Sequence, residues 1–425
     1  LWIGVALLPV LLLSIYHFHY GVDRSHRYGH VDFPIFANRA HAYLQTGVLY
    51  PDATDPAVWG PAAAVYKYPP FYVMWLLPFV GHGVGPGLYR GLWLLILALY
   101  VGIYALAVYL FGGTRVGTAT VLFALMMLNF EPFMENLWHL QLETPFVLIL
   151  MLALLAYRRG HEEIAGAAIG WCASLKIYPA FLLLGFALRG RYRVLAGAVV
   201  TAALAVVASL IVIGLPAHID YFGHIFPVLL GEQPSLLSTN QGLARYVHDV
   251  VGCSLPAAKR IAQLLLLVPL ALSVACLRRN RRLGGDAEVA ALEFAMFVGL
   301  MILWMPNFWS HYQVLLLLPY FVVAHSLLES SAQRWLVGPL LAVAYGLTLF
   351  YSPCAPLDAG YPCAQTPYLL GLFQLPRGLH DALAYTKVIS NVVAWLAPFI
   401  LLWCWPRPVT GSVFASDGQH GAAPR

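Results

Sequence analysis

Five stretches of the sequence hold side chains that could do chemistry, and each borders a long apolar run. Ionisable groups beside membrane segments are costly unless paired or used, so they are functional candidates by default. Asp32 stands in Gly29-His30-Val31-Asp32-Phe33-Pro34, just before an amphipathic stretch. A carboxylate there can serve as a general base, or it can accept the free amides of a helix start. Tyr66-Lys67-Tyr68-Pro69-Pro70-Phe71 joins interfacial aromatics and a lysine to prolines that fix the chain. Glu135-Asn136-Leu137-Trp138-His139-Leu140-Gln141-Leu142-Glu143 supplies carboxylates, an amide and an imidazole, suited to a sugar acceptor or to helix capping. In Ser174-Leu175-Lys176-Ile177-Tyr178-Pro179 a lone cation sits where proline breaks a helix. It can hold an anion such as phosphate, or snorkel to the interface. Thr239-Asn240-Gln241-Gly242-Leu243-Ala244-Arg245 and Trp309-Ser310-His311-Tyr312-Gln313 add donors and positive charge, or a wet structural role.

The elements that must carry these groups follow from composition. The 425-residue chain is 60% hydrophobic and 10% charged, with a mean hydropathy of +0.74. A soluble fold carries roughly a quarter charged residues, so this chain lacks the polar surface to be one. The net charge of +5 gathers in short arginine clusters between apolar runs, as topology requires, and implies no nucleic-acid partner.

A crossing helix needs about 20 apolar residues. Runs near 1–18, 88–111, 114–130, 142–157, 163–176, 177–189, 194–215, 258–277, 287–305, 312–328, 335–351 and 384–404 qualify or nearly do, which gives twelve spans. A further run over 68–80, broken by prolines and followed by a glycine-rich segment, reads as an interfacial helix. With that run kept out of the bilayer, Arg115, Arg158, Arg159, Arg189, Arg191, Arg193, Arg278, Arg279, Arg281, Arg282, Arg334 and Arg407 all fall on the inner side. The expected fold is therefore all-α and polytopic, with about twelve transmembrane helices and interfacial helices in the first outer loop. It forms one domain over 1–404, with outer loops at 19–87, 216–257 and 352–383, and a disordered cytoplasmic tail at 405–425. The first run reads as an anchor rather than a removed signal. Chemistry is expected on the outer face, where Cys354 and Cys363 share a proline- and glycine-bent loop suited to a disulfide.

His17, His19, His26 and His30 lack metal-ligand spacing, so no metal site is expected. No phosphate-cradling loop, dinucleotide fingerprint or nucleophile elbow is present. A secondary transporter or a flippase of lipid-linked sugars is the alternative class. Such proteins carry repeats and midplane ionisable groups, whereas here the polar sites gather at one interface.

Taken in order, Asp32, Tyr66 to Phe71, the Asn136 to Gln141 turn, Ala165-Gly166 through Lys176-Ile177-Tyr178-Pro179, Asn240-Gln241 and His311-Tyr312 resemble glycosyltransferase family 87. The resemblance runs roughly over 30–315, with one departure: Leu140 stands where a glycine usually precedes the glutamine. It implies a GT-C fold in a bacterial inner membrane, using a polyprenyl-phosphate sugar, most readily mannose, with arabinose as another family donor. The acceptor would be a glycan, a glycolipid or another acceptor such as a protein, and no cofactor is implied. It also implies that Asp32 is the catalytic base. Lys176, Arg245 and His311 would face the donor phosphate, and Tyr68, Gln141, Asn240, Gln241 and Tyr312 would bind substrate.

Overall fold

The computed structural model describes residues 2–27, 32–55, 66–81, 83–231, 234–235, 240–281, 286–329, 333–349, 368–369, 373–374 and 377–405. The order begins α1 (Trp2–Arg27), α2 (Phe33–Thr46), α3 (Pro70–Val80), α4 (Pro86–Phe111), α5 (Val116–Leu128), α6 (Glu131–His139), α7 (Glu143–Arg158) and α8 (Glu162–Leu175). A 3-10 turn at Tyr178–Phe181 leads to α9 (Leu182–Leu188) and α10 (Tyr192–Ile213). Next come α11 (Leu215–Asp220), a π turn at Tyr221–Ile225, α12 (Phe226–Gly231), α13 (Leu243–Val251), α14 (Leu255–Arg279) and α15 (Ala287–Trp304). A 3-10 segment at Ser310–Leu316 runs into α16 (Leu317–Glu329), followed by α17 (Arg334–Thr348) and α18 (Arg377–Trp403). The strands among the described residues are the two-residue pair β1 (Tyr368–Leu369) and β2 (Phe373–Gln374).

Every apolar run expected to cross is helical. Among the described residues, five helices, Pro86–Phe111, Tyr192–Ile213, Leu255–Arg279, Ala287–Trp304 and Ser310–Glu329, are long and apolar enough to cross alone. A sixth joins Gly113–Leu128 to Glu131–His139 through a 52° bend. This is a multi-pass membrane protein. Of the remaining runs, those near 1–18 and 384–404 fall largely in the 26-residue α1 and the 27-residue α18, and the others form shorter helices such as the 16-residue α7 and the 14-residue α8. The expected Cys354–Cys363 disulfide and the tail beyond Trp405 lie outside the described residues.

The packing of α8 on α10 rests on glycine. A Cβ added at Gly166 or Gly170 would overlap the carbonyl oxygens of Val194 and Ala198, and one at Gly197 would overlap that of Glu163. In lipid, where apolar burial drives little association, such close backbone approach holds helices together. This contact fixes α8, whose last turn delivers Lys176.

Helix α2 begins at Asp32, with Pro34 in its first turn, and ends at Gly47, whose φ of 71° allows its N–H to close on the Tyr43 carbonyl. Its buried ring Phe36 meets Tyr66, Tyr68 and Tyr72 edge-on at 6.2, 4.7 and 5.5 Å. His41 Nδ1 lies 2.8 Å from the Val80 carbonyl, and Tyr43 donates to the Ile213 carbonyl at 2.9 Å. Helix α2 is thereby docked on α3 and on the end of α10.

Deeper in the bundle, Lys387 of α18 stands 3.9 Å from Glu135 of α6, both nearly inaccessible. Removing one member of such a pair strands a buried charge. Lys387→Met is expected to lower unfolding stability by about 3 to 5 kcal/mol. The double variant with Glu135→Leu should recover wild-type stability, as read by thermal unfolding in detergent.

Candidate active site

Helices α7 and α8 form an antiparallel pair. Glu143 opens α7 and Lys176 follows α8 at one end, while Arg158 closes α7 and Glu162 opens α8 at the other. Sixteen helical residues separate the ends by about 24 Å. Chemistry and arginine clusters therefore occupy opposite ends of these helices.

The end carrying Glu143 holds a continuous polar network. Lys176 Nζ donates to Glu143 Oε1 at 2.5 Å and to Gln141 Oε1 at 2.9 Å. Gln141 Nε2 donates to Asp32 Oδ2 at 2.6 Å. His139 Nδ1 lies 3.1 Å from the same carboxylate oxygen. Tyr68 donates to Gln141 Oε1 at 3.4 Å, and its ring faces the ammonium at 5.0 Å. The Tyr312 ring covers the other side at 4.6 Å. The His311 ring stands 4.5 Å from that of His139, and its Nε2 is buried without a hydrogen bond.

Asp32 holds the N-cap position of α2, yet its side chain makes no cap hydrogen bond. Asp286 shows the contrast, accepting from the amides of Glu288 and Val289 at the start of α15. The capping alternative for Asp32 therefore falls away, and its carboxylate is turned to the network instead. Burial would raise the Asp32 carboxyl. The neighbouring His139 charge and hydrogen bond, followed by His311 and the Gln141 amide, outweigh it and hold the group well below the usual carboxylate range.

Asp32, Tyr68, Gln141, Lys176, His311 and Tyr312 thus come together. Asn240, Gln241 and Arg245 form a second set along the segment that leads into His311. Asn240 bridges to Trp309, with its Oδ1 accepting from the amides of Gly242 and Phe308, each at 3.0 Å. Its Nδ2 reaches the Ser235 carbonyl at 2.9 Å and Asn307 Oδ1 at 3.1 Å. The Gln241 amide donates to the Phe308 carbonyl at 2.6 Å. Arg245 Nε pairs with Asp249 at 3.2 Å. The side chain of Asn240 is occupied in shaping this segment.

The structure adds Glu143, His139, Tyr178 and Asn136 to the residues first assigned roles. Tyr178 donates to Glu143 Oε1 at 3.2 Å, Asn136 donates to Glu143 Oε2 at 3.1 Å, and Thr144 donates to Asn136 Oδ1 at 2.7 Å. A carboxylate at the head of an apolar helix was the available signal for Glu143, since burial of such a charge demands a partner. Leu140, where glycine is usual, takes the left-handed conformation at φ 52°. Such a backbone favours glycine, but this leucine is only 2% exposed and its burial offsets part of the strain. Gln141 still reaches Asp32.

The model of glycosyltransferase family 87 matches residues 66–306, more than half of the chain. The chain belongs to this family. Asp32 precedes the matched region, and His311 and Tyr312 lie just beyond it, so part of this family member's polar network comes from flanking sequence. No curated protein and no solved structure matches the chain.

Proposed function

We propose that this family 87 glycosyltransferase is inverting, and that it moves a sugar, most readily mannose, from a polyprenyl-phosphate donor to an acceptor hydroxyl. The observation that carries the reading is the Asp32 carboxylate. Its neighbours His139, His311 and Gln141 favour the charged form, and it is one-quarter exposed and released from helix capping, beside a buried cationic and aromatic cluster. The acceptor oxygen attacks the anomeric carbon as the carbon–oxygen bond to phosphate breaks. Asp32 takes the acceptor proton, and the electron pair leaves with the polyprenyl phosphate. That leaving group needs no proton. It needs positive charge and donors as its own charge develops, and Lys176, Arg245 and His311 are the groups on offer. A single displacement converts a β-linked mannosyl donor into an α-mannoside.

The same reading takes 1–404 as one GT-C domain crossing the membrane twelve times, with Asp32 at the outer face of a bacterial inner membrane. Helix in every expected run, and the separation of the Asp32 network from Arg158 and Arg189, support it. The acceptor is then a glycan or glycolipid presented at that face.

The test is incubation of the purified protein with radiolabelled polyprenyl-phosphate mannose and a membrane glycolipid fraction. Released polyprenyl phosphate together with an α-linked labelled product is expected. Translocation of intact lipid-linked sugar across vesicles, without release, would replace this reading with that of a flippase.

A further inference from the structure

The network around Asp32 has a direction, set by what each group can donate. Lys176 can only donate, so the Gln141 atom facing it must be the carbonyl oxygen, and Tyr68 donates to that same oxygen. The Gln141 NH2 is thereby forced toward Asp32. Glu143, wholly inaccessible, anchors the ammonium from behind and is itself held by Asn136 and Tyr178. At the far end both Gln141 and His139 converge on Oδ2 of Asp32. Oδ1 accepts no hydrogen bond among the described residues.

We propose that Glu143, Lys176 and Gln141 form a positioning chain that fixes the Asp32 carboxylate through Oδ2 and presents Oδ1 as the proton-accepting atom. This rests on the reading of Asp32 as the base of sugar transfer. The acceptor O–H proton passes to Oδ1 while the acceptor oxygen bonds to the anomeric carbon and phosphate departs with the electron pair. Lys176 acts on the base through Gln141, which leaves His311 for the phosphate, since Arg245 is itself paired with Asp249. A buried lysine already paired with a carboxylate offers the charge that develops on the departing phosphate little net attraction, whereas its hydrogen bond to an amide oxygen strengthens that amide as a donor.

The test separates the two roles of Lys176 by kinetics and by a double-mutant cycle. Gln141→Met keeps length and removes all three side-chain hydrogen bonds, those from Lys176 and Tyr68 and that to Asp32. It is expected to lower kcat by about 10- to 100-fold through misplacement of the base, with the KM for polyprenyl-phosphate sugar changed less than about twofold. Lys176→Met alone strands the Glu143 charge, so it is paired with Glu143→Gln. That pair should show the same loss in kcat at constant donor KM. Combining it with Gln141→Met should add little, since all three residues act on one carboxylate. Multiplying losses, or a donor KM raised tenfold in Lys176→Met/Glu143→Gln, would overturn the chain and return Lys176 to the phosphate. Full activity in Asp32→Asn would instead remove the base itself, so failure of the underlying reading is seen separately.

Discussion

Asp32→Asn is expected to lower sugar transfer by on the order of 10²- to 10⁴-fold, the usual contribution of a positioned general base. The substitution keeps the shape of the side chain. Gln141 Nε2 and His139 Nδ1 both approach Oδ2, so the new amide will turn its oxygen toward them. Its NH2 then occupies the position of Oδ1 and donates where the reaction needs an acceptor. The loss should therefore appear in kcat with donor binding retained, measured by single-turnover transfer from a radiolabelled lipid-linked sugar. Transfer at the wild-type rate would remove Asp32 as the base. The depressed carboxyl also fixes the sign of the pH response. Asp32 is protonated only below its lowered value, so it imposes no loss of activity near neutrality, and an acid limb there would belong to another group.

Much of this site was legible because the chain is so poor in charge. In a sequence with 10% charged residues, Asp32 and Lys176 stand out beside apolar runs. Their roles within the network were less legible. Lys176 and Glu143 are 33 residues apart, and only the packing of α7 on α8 shows that they pair. Asn240 read as a substrate amide, yet a side chain with donor and acceptor groups serves a backbone segment equally well, and here it does so. The helices followed from the apolar runs themselves. The number that cross alone did not, because broken and short helices such as α7 and α8 leave their ends to side chains rather than to further turns. The Leu140 departure marks a backbone conformation, and Gln141 still meets Asp32 despite it.

Gly166→Leu is expected to leave no folded protein. The first atom of any side chain there would overlap the Val194 carbonyl oxygen and stand 3.0 Å from the Ala198 amide nitrogen. These are backbone atoms of α10 and cannot rotate aside, so the helices must part, by a small shift for a lone Cβ and by the width of the whole branched side chain for leucine. Separation also opens the neighbouring contacts at Gly170 and Gly197, so a single substitution unzips the whole α8–α10 seam. A loss above about 5 kcal/mol follows, comparable with the entire stability of many domains. Gly91 of α4 is the control: a Cβ there meets nothing within 4 Å, so Gly91→Leu should express and melt like wild type. Gly166→Ala is the graded case. It should fold with a lowered melting temperature and a reduced kcat, because α8 carries Lys176 and a small shift of its last turn pulls Nζ from Gln141. If Gly166→Leu and Gly91→Leu are recovered from membranes in equal amounts and unfold at the same temperature, the seam does not hold α8 in place.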